Sequence, residues 1–180
     1  MFFIPGFLIA WLTFPGVICH EFAHRLFCDL AKVPVYKVVY FQLSNPSGYV
    51  IHGKVPDLKS AFLISVGPFF VNTILCSLIS FSAAIPFFLL GDYKSTGAFG
   101  MLQIWLAISI GMHAFPSKQD LDNFLQKVVT EKNKFSPLSI ASRFMSVSFF
   151  LARLASFFWF DAIYAIIVMM FLPCVLLAFV

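Results

Sequence analysis

The sequence predicts an all-α integral membrane bundle of about four transmembrane helices, with a small β-hairpin between the first and the second. Three observations predict it. The 180-residue chain is 61% hydrophobic, 18% aromatic and only 11% charged, whereas about a quarter of a soluble domain is charged. Its apolar residues fall in long blocks, the first of which, residues 1–18 (MFFIPGFLIAWLTFPGVI), holds no charge. The polar residues gather instead in one stretch, SKQDLDNFLQKVVTEKNKFSP. A mean hydropathy of +0.93 agrees, and 25 phenylalanines suit a wall that faces lipid. The lipid bilayer is therefore the expected surrounding. The net charge of +4 is modest, and no basic run alternates with aromatics, so nucleic acid is not an expected partner. Cys19, Cys28, Cys76 and Cys174 lack CxxC spacing and are expected to be packing residues.

The first helix is drawn from about residue 4 to 30, longer than the roughly 20 residues a bilayer core requires. Pro15 is expected to kink it, and Pro5 either kinks it or serves in its first turn. It lacks the basic start and small-residue cleavage site of a signal peptide and is expected to be retained. Residues 36–54 contain two β-branched and aromatic runs around SNPSG, whose residues favour turns, and so predict a hairpin. A second hydrophobic helix is expected over about 58–89 and a third over about 97–115, joined by the turn GDYKSTG. A short surface helix and a loop follow. The last forty or so residues, to Val180, read as an interfacial helix continuing into a fourth span, or as two tightly joined spans. No internal repeat is visible. The chain divides into a membrane-embedded core, 1–125, and a polar loop, interfacial helix and C-terminal span, 126–180.

Basic residues orient the bundle. Arg25, Lys32, Lys37, Lys54, Lys59, Lys118, Lys127, Lys132 and Lys134 fall on one side if the three helices alternate, against Lys94 on the other. The positive-inside rule places the first group in the cytoplasm.

His20, Glu21 and His24 spell HExxH at the end of the charge-free run. Residues four apart share a helix face, so both imidazoles can reach one Zn²⁺, and Glu21, one position round, can act as general base on a water there. The alternative is a packing role for the histidines, with Glu21 paired to Arg25 at i, i+4. Ionisable groups inside a membrane segment are functional by default, which favours the metal. A third ligand is needed, and MHAFPSKQDLDN is the one other dense cluster of candidates. Asp120 comes first, His113 second, Asp122 third. Ser117 and Asp120 also have the spacing of a capping box, and His113 could equally orient a ligand from behind.

These motifs, HEFAH, then GPFFVN, then PSKQD in that order, resemble the site-2 protease family of intramembrane zinc metalloproteases, and particularly its small zincin-peptidase relatives. The resemblance covers roughly residues 1–125. It implies zinc ligands at His20, His24 and Asp120, a catalytic glutamate at Glu21, and the family's Gly-Pro and Asn at Gly67, Pro68 and Asn72. This chain departs from the usual GPxxN by one extra residue before Asn72, and from the usual Asp-Gly by Leu121 after Asp120. The resemblance also implies a use for the hairpin: its exposed edge, at 38–43 or 48–52, would hold an unwound substrate segment as an added strand. A hairpin that merely plugs the cytoplasmic mouth is the simpler alternative.

The expected function is hydrolysis of peptide bonds in membrane-spanning or membrane-associated peptide substrates, near the cytoplasmic face of a prokaryotic plasma membrane, with Asn72 helping to stabilise the oxyanion. The rival readings are a zinc-binding scaffold or regulator that does not cleave, and a metal or proton transporter relaying through His20, Glu21, His24 and His113. His52 is expected at the surface, Asp161 in an interfacial or interhelical role, and Asp29 at the exit of the first helix.

Overall fold

The computed structural model describes residues 5–178. Residue 4, the expected start of the first helix, and residues 179–180 of the expected final span lie outside them. Seven α-helices and one two-stranded sheet follow in the order α1 (Gly6–Leu12), α2 (Phe14–Leu30), β1 (Val35–Val39), β2 (Tyr49–His52), α3 (Leu58–Ala84), α4 (Tyr93–Met112), α5 (Lys118–Thr130), α6 (Pro137–Ala155) and α7 (Phe160–Leu177). Three helical stretches, Leu58–Phe87, Lys94–Met112 and Pro137–Phe158, are long and apolar enough to cross a membrane, and α1 with α2 forms a further candidate bent by 89°.

That bend corrects the expected single helix over 4–30. Pro15 lacks an N–H and its ring opposes the carbonyl four residues back, so the helix stops at Thr13 and restarts. The backbone groups freed by the break are taken up by α4. Trp105 Nε1 donates to the Leu12 carbonyl at 3.1 Å, and the Ser109 hydroxyl donates to the Thr13 carbonyl at 2.8 Å while accepting from the Gly16 amide at 3.0 Å. Gly16 permits this approach, because a Cβ there would run into the Ser109 carbonyl.

From the break onward α2 has two faces. Gly16, Val17, His20, Glu21, His24 and Cys28 are buried, while Phe14, Ile18, Phe22, Leu26 and Leu30, four residues apart, are exposed. An apolar stripe turned outward is what a lipid-facing helix presents.

Helix α3 is the central post. Asp57 caps it by accepting from the Ser60 amide at 2.8 Å, a bond that holds the Asp57 carboxyl below its ordinary value. At this end Leu58, Ala61 and Val66 pack with Leu121, Phe124 and Val128 of α5 and Phe149 of α6. At its other end Cys76 and Ala83 pack with Ile104 and Ala107 of α4 and Met169 of α7. Cys28 and Cys76 are thus core residues, whereas Cys174 is exposed. A π-helical turn, Ile85–Leu89, ends α3, and α4 closes three residues before the expected 115 after a kink at Gly97.

The hairpin forms as expected, antiparallel, with Val38 opposite Val50 and an irregularity between Val35 and Lys37. Its first strand ends at Val39, so most of 38–43 is loop, whereas 49–52 is strand. The C-terminal region is two helices, not one continuous span. Helix α6 is itself long and apolar enough to cross, and a 3₁₀ turn with Trp159 in left-handed conformation separates it from α7. Asp161 accepts from Ser156 across that turn at 2.7 Å, in keeping with an interhelical role.

Candidate metal centre

His20, His24 and Asp120 come together, their potential ligand atoms all within 4.8 Å of one another, the one such group among the described residues. The first two follow from helix geometry: one turn apart on the buried face of α2, their rings meet edge to face at 4.7 Å between centroids. Asp120 arrives from the first turn of α5. The capping box is present as well, with the Ser117 amide donating to Asp120 Oδ2 at 2.9 Å and the Ser117 hydroxyl at 2.5 Å. Capping and ligation are therefore not alternatives: the cap fixes the carboxylate that faces the histidines.

The protonation of the trio follows from its partners. His20 Nδ1 lies 2.7 Å from the His113 carbonyl, and His24 Nδ1 lies 3.0 Å from the Ile64 carbonyl. A carbonyl oxygen only accepts, so each Nδ1 carries a proton, and a ring that is otherwise neutral turns its lone pair on Nε2 toward the other ring and Asp120. Those two Nε2 atoms stand 3.0 Å apart, with Asp120 Oδ2 at 3.4 Å from His24 and 3.8 Å from His20. Two imidazole nitrogens and a carboxylate oxygen thus face one another, and this donor set could hold a metal ion. With no metal bound, burial raises the cost of charge at Asp120, but a proton taken up on Nε2 of His24 and His20 outweighs it, and the carboxyl is held well below its ordinary value.

Both supporting carbonyls are ones the helical ladder leaves free. Ile64 lies four residues before Pro68, which has no N–H to give it. His113 is the C-cap of α4, where terminal carbonyls lack helical donors. Asn72, fully buried, braces that second carbonyl: its Nδ2 donates to the His113 carbonyl at 2.9 Å and to the Ile110 carbonyl at 3.3 Å. Both contacts of its amide nitrogen thus go to backbone carbonyls at the end of α4. Gly67, beside Pro68, leaves the space that the Phe27 ring fills, so α2 and α3 can close on each other.

The remaining candidates are placed elsewhere. His113 Nε2 is 2.8 Å from the Thr13 hydroxyl, which itself donates to the Ile9 carbonyl at 2.6 Å, so the imidazole donates to the helix break and does not join the trio. What His113 offers the centre is its main-chain carbonyl. Asp122, two residues from Asp120, is exposed on α5. His52 bonds the carbonyl of its neighbour Gly53. Arg25 pairs with Asp29 at 2.8 Å, so Glu21 is not committed to Arg25. Glu21 is buried at 9% exposure and, with His20, lines a cavity of about 650 Å³ roofed by hairpin-loop residues 45–48.

The chain matches no protein-family model, no curated protein and no solved structure.

Proposed function

We propose that this protein is an intramembrane zinc metalloprotease. The observation that carries the reading is the convergence of two Nε2 lone pairs and one carboxylate, each fixed from behind, beside a glutamate that lines an open cavity. Two imidazoles and one carboxylate are a donor set that zinc enzymes use, and a three-ligand site keeps a position open for chemistry. Zn²⁺ bound there would supply Lewis acidity, making water a nucleophile near neutral pH and polarising the scissile carbonyl. His20, His24 and Asp120 hold the ion. Glu21 takes the proton of the attacking water and delivers it to the leaving amine.

The substrate is a membrane-spanning or membrane-associated peptide. Counting α1–α2 as one bent span, with α3, α4 and α6, gives a four-span bundle. The end that carries the hairpin, α5 and most of the lysines is then cytoplasmic, and the centre lies near it. A helical substrate must unwind before a peptide carbonyl is accessible, and the edge of Tyr49–His52 is positioned to pair with an extended segment.

The test is cleavage of tagged single-span peptides in proteoliposomes by wild type and by Glu21→Gln. The proposal predicts cleavage by wild type and a loss of 10²-fold or more in the variant, with its zinc retained. Full activity in Glu21→Gln contradicts it; zinc binding without any Glu21-dependent cleavage favours the non-proteolytic scaffold.

A further inference from the structure

Two cavities reach the ligand trio, no residue lines both, and their charges differ in sign. The larger, about 650 Å³, is bordered by His20 and Glu21 and, further out, by Asp161 and Arg153. The smaller, about 260 Å³, meets the trio at Asp120 and is bordered by His52, Lys54, Lys127, Asn123 and Gln126. Asp120 is committed to the histidines and to Ser117. Neither lysine forms an ion pair among the described residues. Two lysines, a histidine, an asparagine and a glutamine therefore border a recess whose one acid is already engaged. Its volume falls below the about 300 Å³ at which pockets for drug-sized ligands begin, which suits a single side chain.

The direction of the substrate fixes what that side chain belongs to. Glu21, the donor to the leaving amine in the protease reading, borders only the larger cavity. The amine half of the substrate then occupies the larger cavity, and the acyl half lies toward Asp120 and the smaller one. We propose that the smaller cavity is an anion subsite that takes a carboxylate from the acyl half, an acidic side chain on the N-terminal side of the scissile bond, between Lys54 and Lys127. The inference rests on the protease reading for the direction of the chain, and on the cavity itself for the charge. Ammonium groups attract carboxylate through charge-assisted hydrogen bonds, and the desolvation cost is small because Lys54 remains exposed at the rim.

The test measures binding, not cleavage. Zinc-loaded wild type in detergent is titrated calorimetrically with N-acetyl-Glu-Ala-amide and with N-acetyl-Gln-Ala-amide. The proposal predicts about tenfold tighter binding of the acidic peptide. That preference disappears in Lys54→Gln/Lys127→Gln, survives in Lys54→Arg/Lys127→Arg, and leaves affinity for the neutral peptide and zinc content unchanged in both. Equal binding of the two peptides to wild type, a preference that survives removal of both lysines, or tighter binding of inorganic phosphate than of the acidic peptide overturns the subsite. None of these outcomes touches the Glu21→Gln cleavage test. Conversely, lysine-dependent acid preference without Glu21-dependent cleavage supports the subsite while the protease reading fails.

Discussion

His24 owes its hydrogen-bond partner to Pro68. The proline ring deprives the Ile64 carbonyl of its helical donor, and His24 Nδ1 takes that place at 3.0 Å. A backbone bond missing from one helix thereby fixes which nitrogen of a candidate ligand on another donates. Pro68→Ala restores an N–H that competes for the same carbonyl. Metal affinity is expected to fall about 10–100-fold, the usual cost of losing a partner behind a ligand, while the thermal midpoint stays level or rises because a proline has left a helix interior. Unchanged affinity by competition with a chelating dye would show that His24 does not depend on this carbonyl.

Asn72→Ala removes two bonds that hold the end of α4, including the one to the carbonyl behind His20. Metal affinity should again drop about 10–100-fold. If turnover per bound metal is unaffected, Asn72 acts through His20; a fall in turnover at full metal occupancy would instead return it to the reacting atoms.

Asp120 has two separable duties. Asp120→Asn keeps an acceptor for the Ser117 amide but loses the charge, so metal binding is lost while the cap is kept. Asp120→Ala loses both, and adds about 1 kcal/mol of destabilisation from the broken capping box. Metal analysis beside a melting curve for each variant separates the two.

Close helix approach makes a ranking. At Gly16 a new Cβ meets the main-chain carbonyl of Ser109, which cannot turn away; at Gly67 it meets the ring of Phe27, a side chain. Gly16→Ala should cost about 1–3 kcal/mol, the range for overpacking, and Gly67→Ala less. Thermal midpoints measured in one detergent decide the order.

Acid should strip the metal before it unfolds the chain. Protons compete with a metal for the Nε2 atoms of His20 and His24, because a ligating imidazole must have that nitrogen free. The Asp120 carboxyl is depressed in the folded protein, so its contribution to stability is fully present above the ordinary aspartate value of about 3.9 and is lost only as pH falls through its lower folded value. Metal content and far-UV circular dichroism followed from pH 8 to 4 should therefore show metal leaving first, with the helices intact.

What the sequence could reveal was local. HExxH was legible because the α-helix fixes what four residues' separation means, and the hairpin because SNPSG is turn chemistry. The capping box at Ser117–Asp120 was legible too, as was Asp120 as first choice to join the histidines, though not that one carboxylate would do both. The rest depends on partners distant in the chain. Pro15 signals a kink, but a bend of 89° stands because Trp105 and Ser109 of α4 receive the freed backbone. His113 looked like a ligand by its imidazole, whereas its contribution to His20 is a carbonyl that any residue would carry. Pro68 did hold a usable signal: a proline four residues after a position marks that position's carbonyl as free.

The most direct test is zinc per polypeptide, by elemental mass spectrometry, on detergent-purified wild type beside His24→Ala and Asp120→Ala. The account predicts about one zinc per chain in wild type and almost none in either variant. No zinc in wild type, or zinc undiminished in both variants, would contradict it.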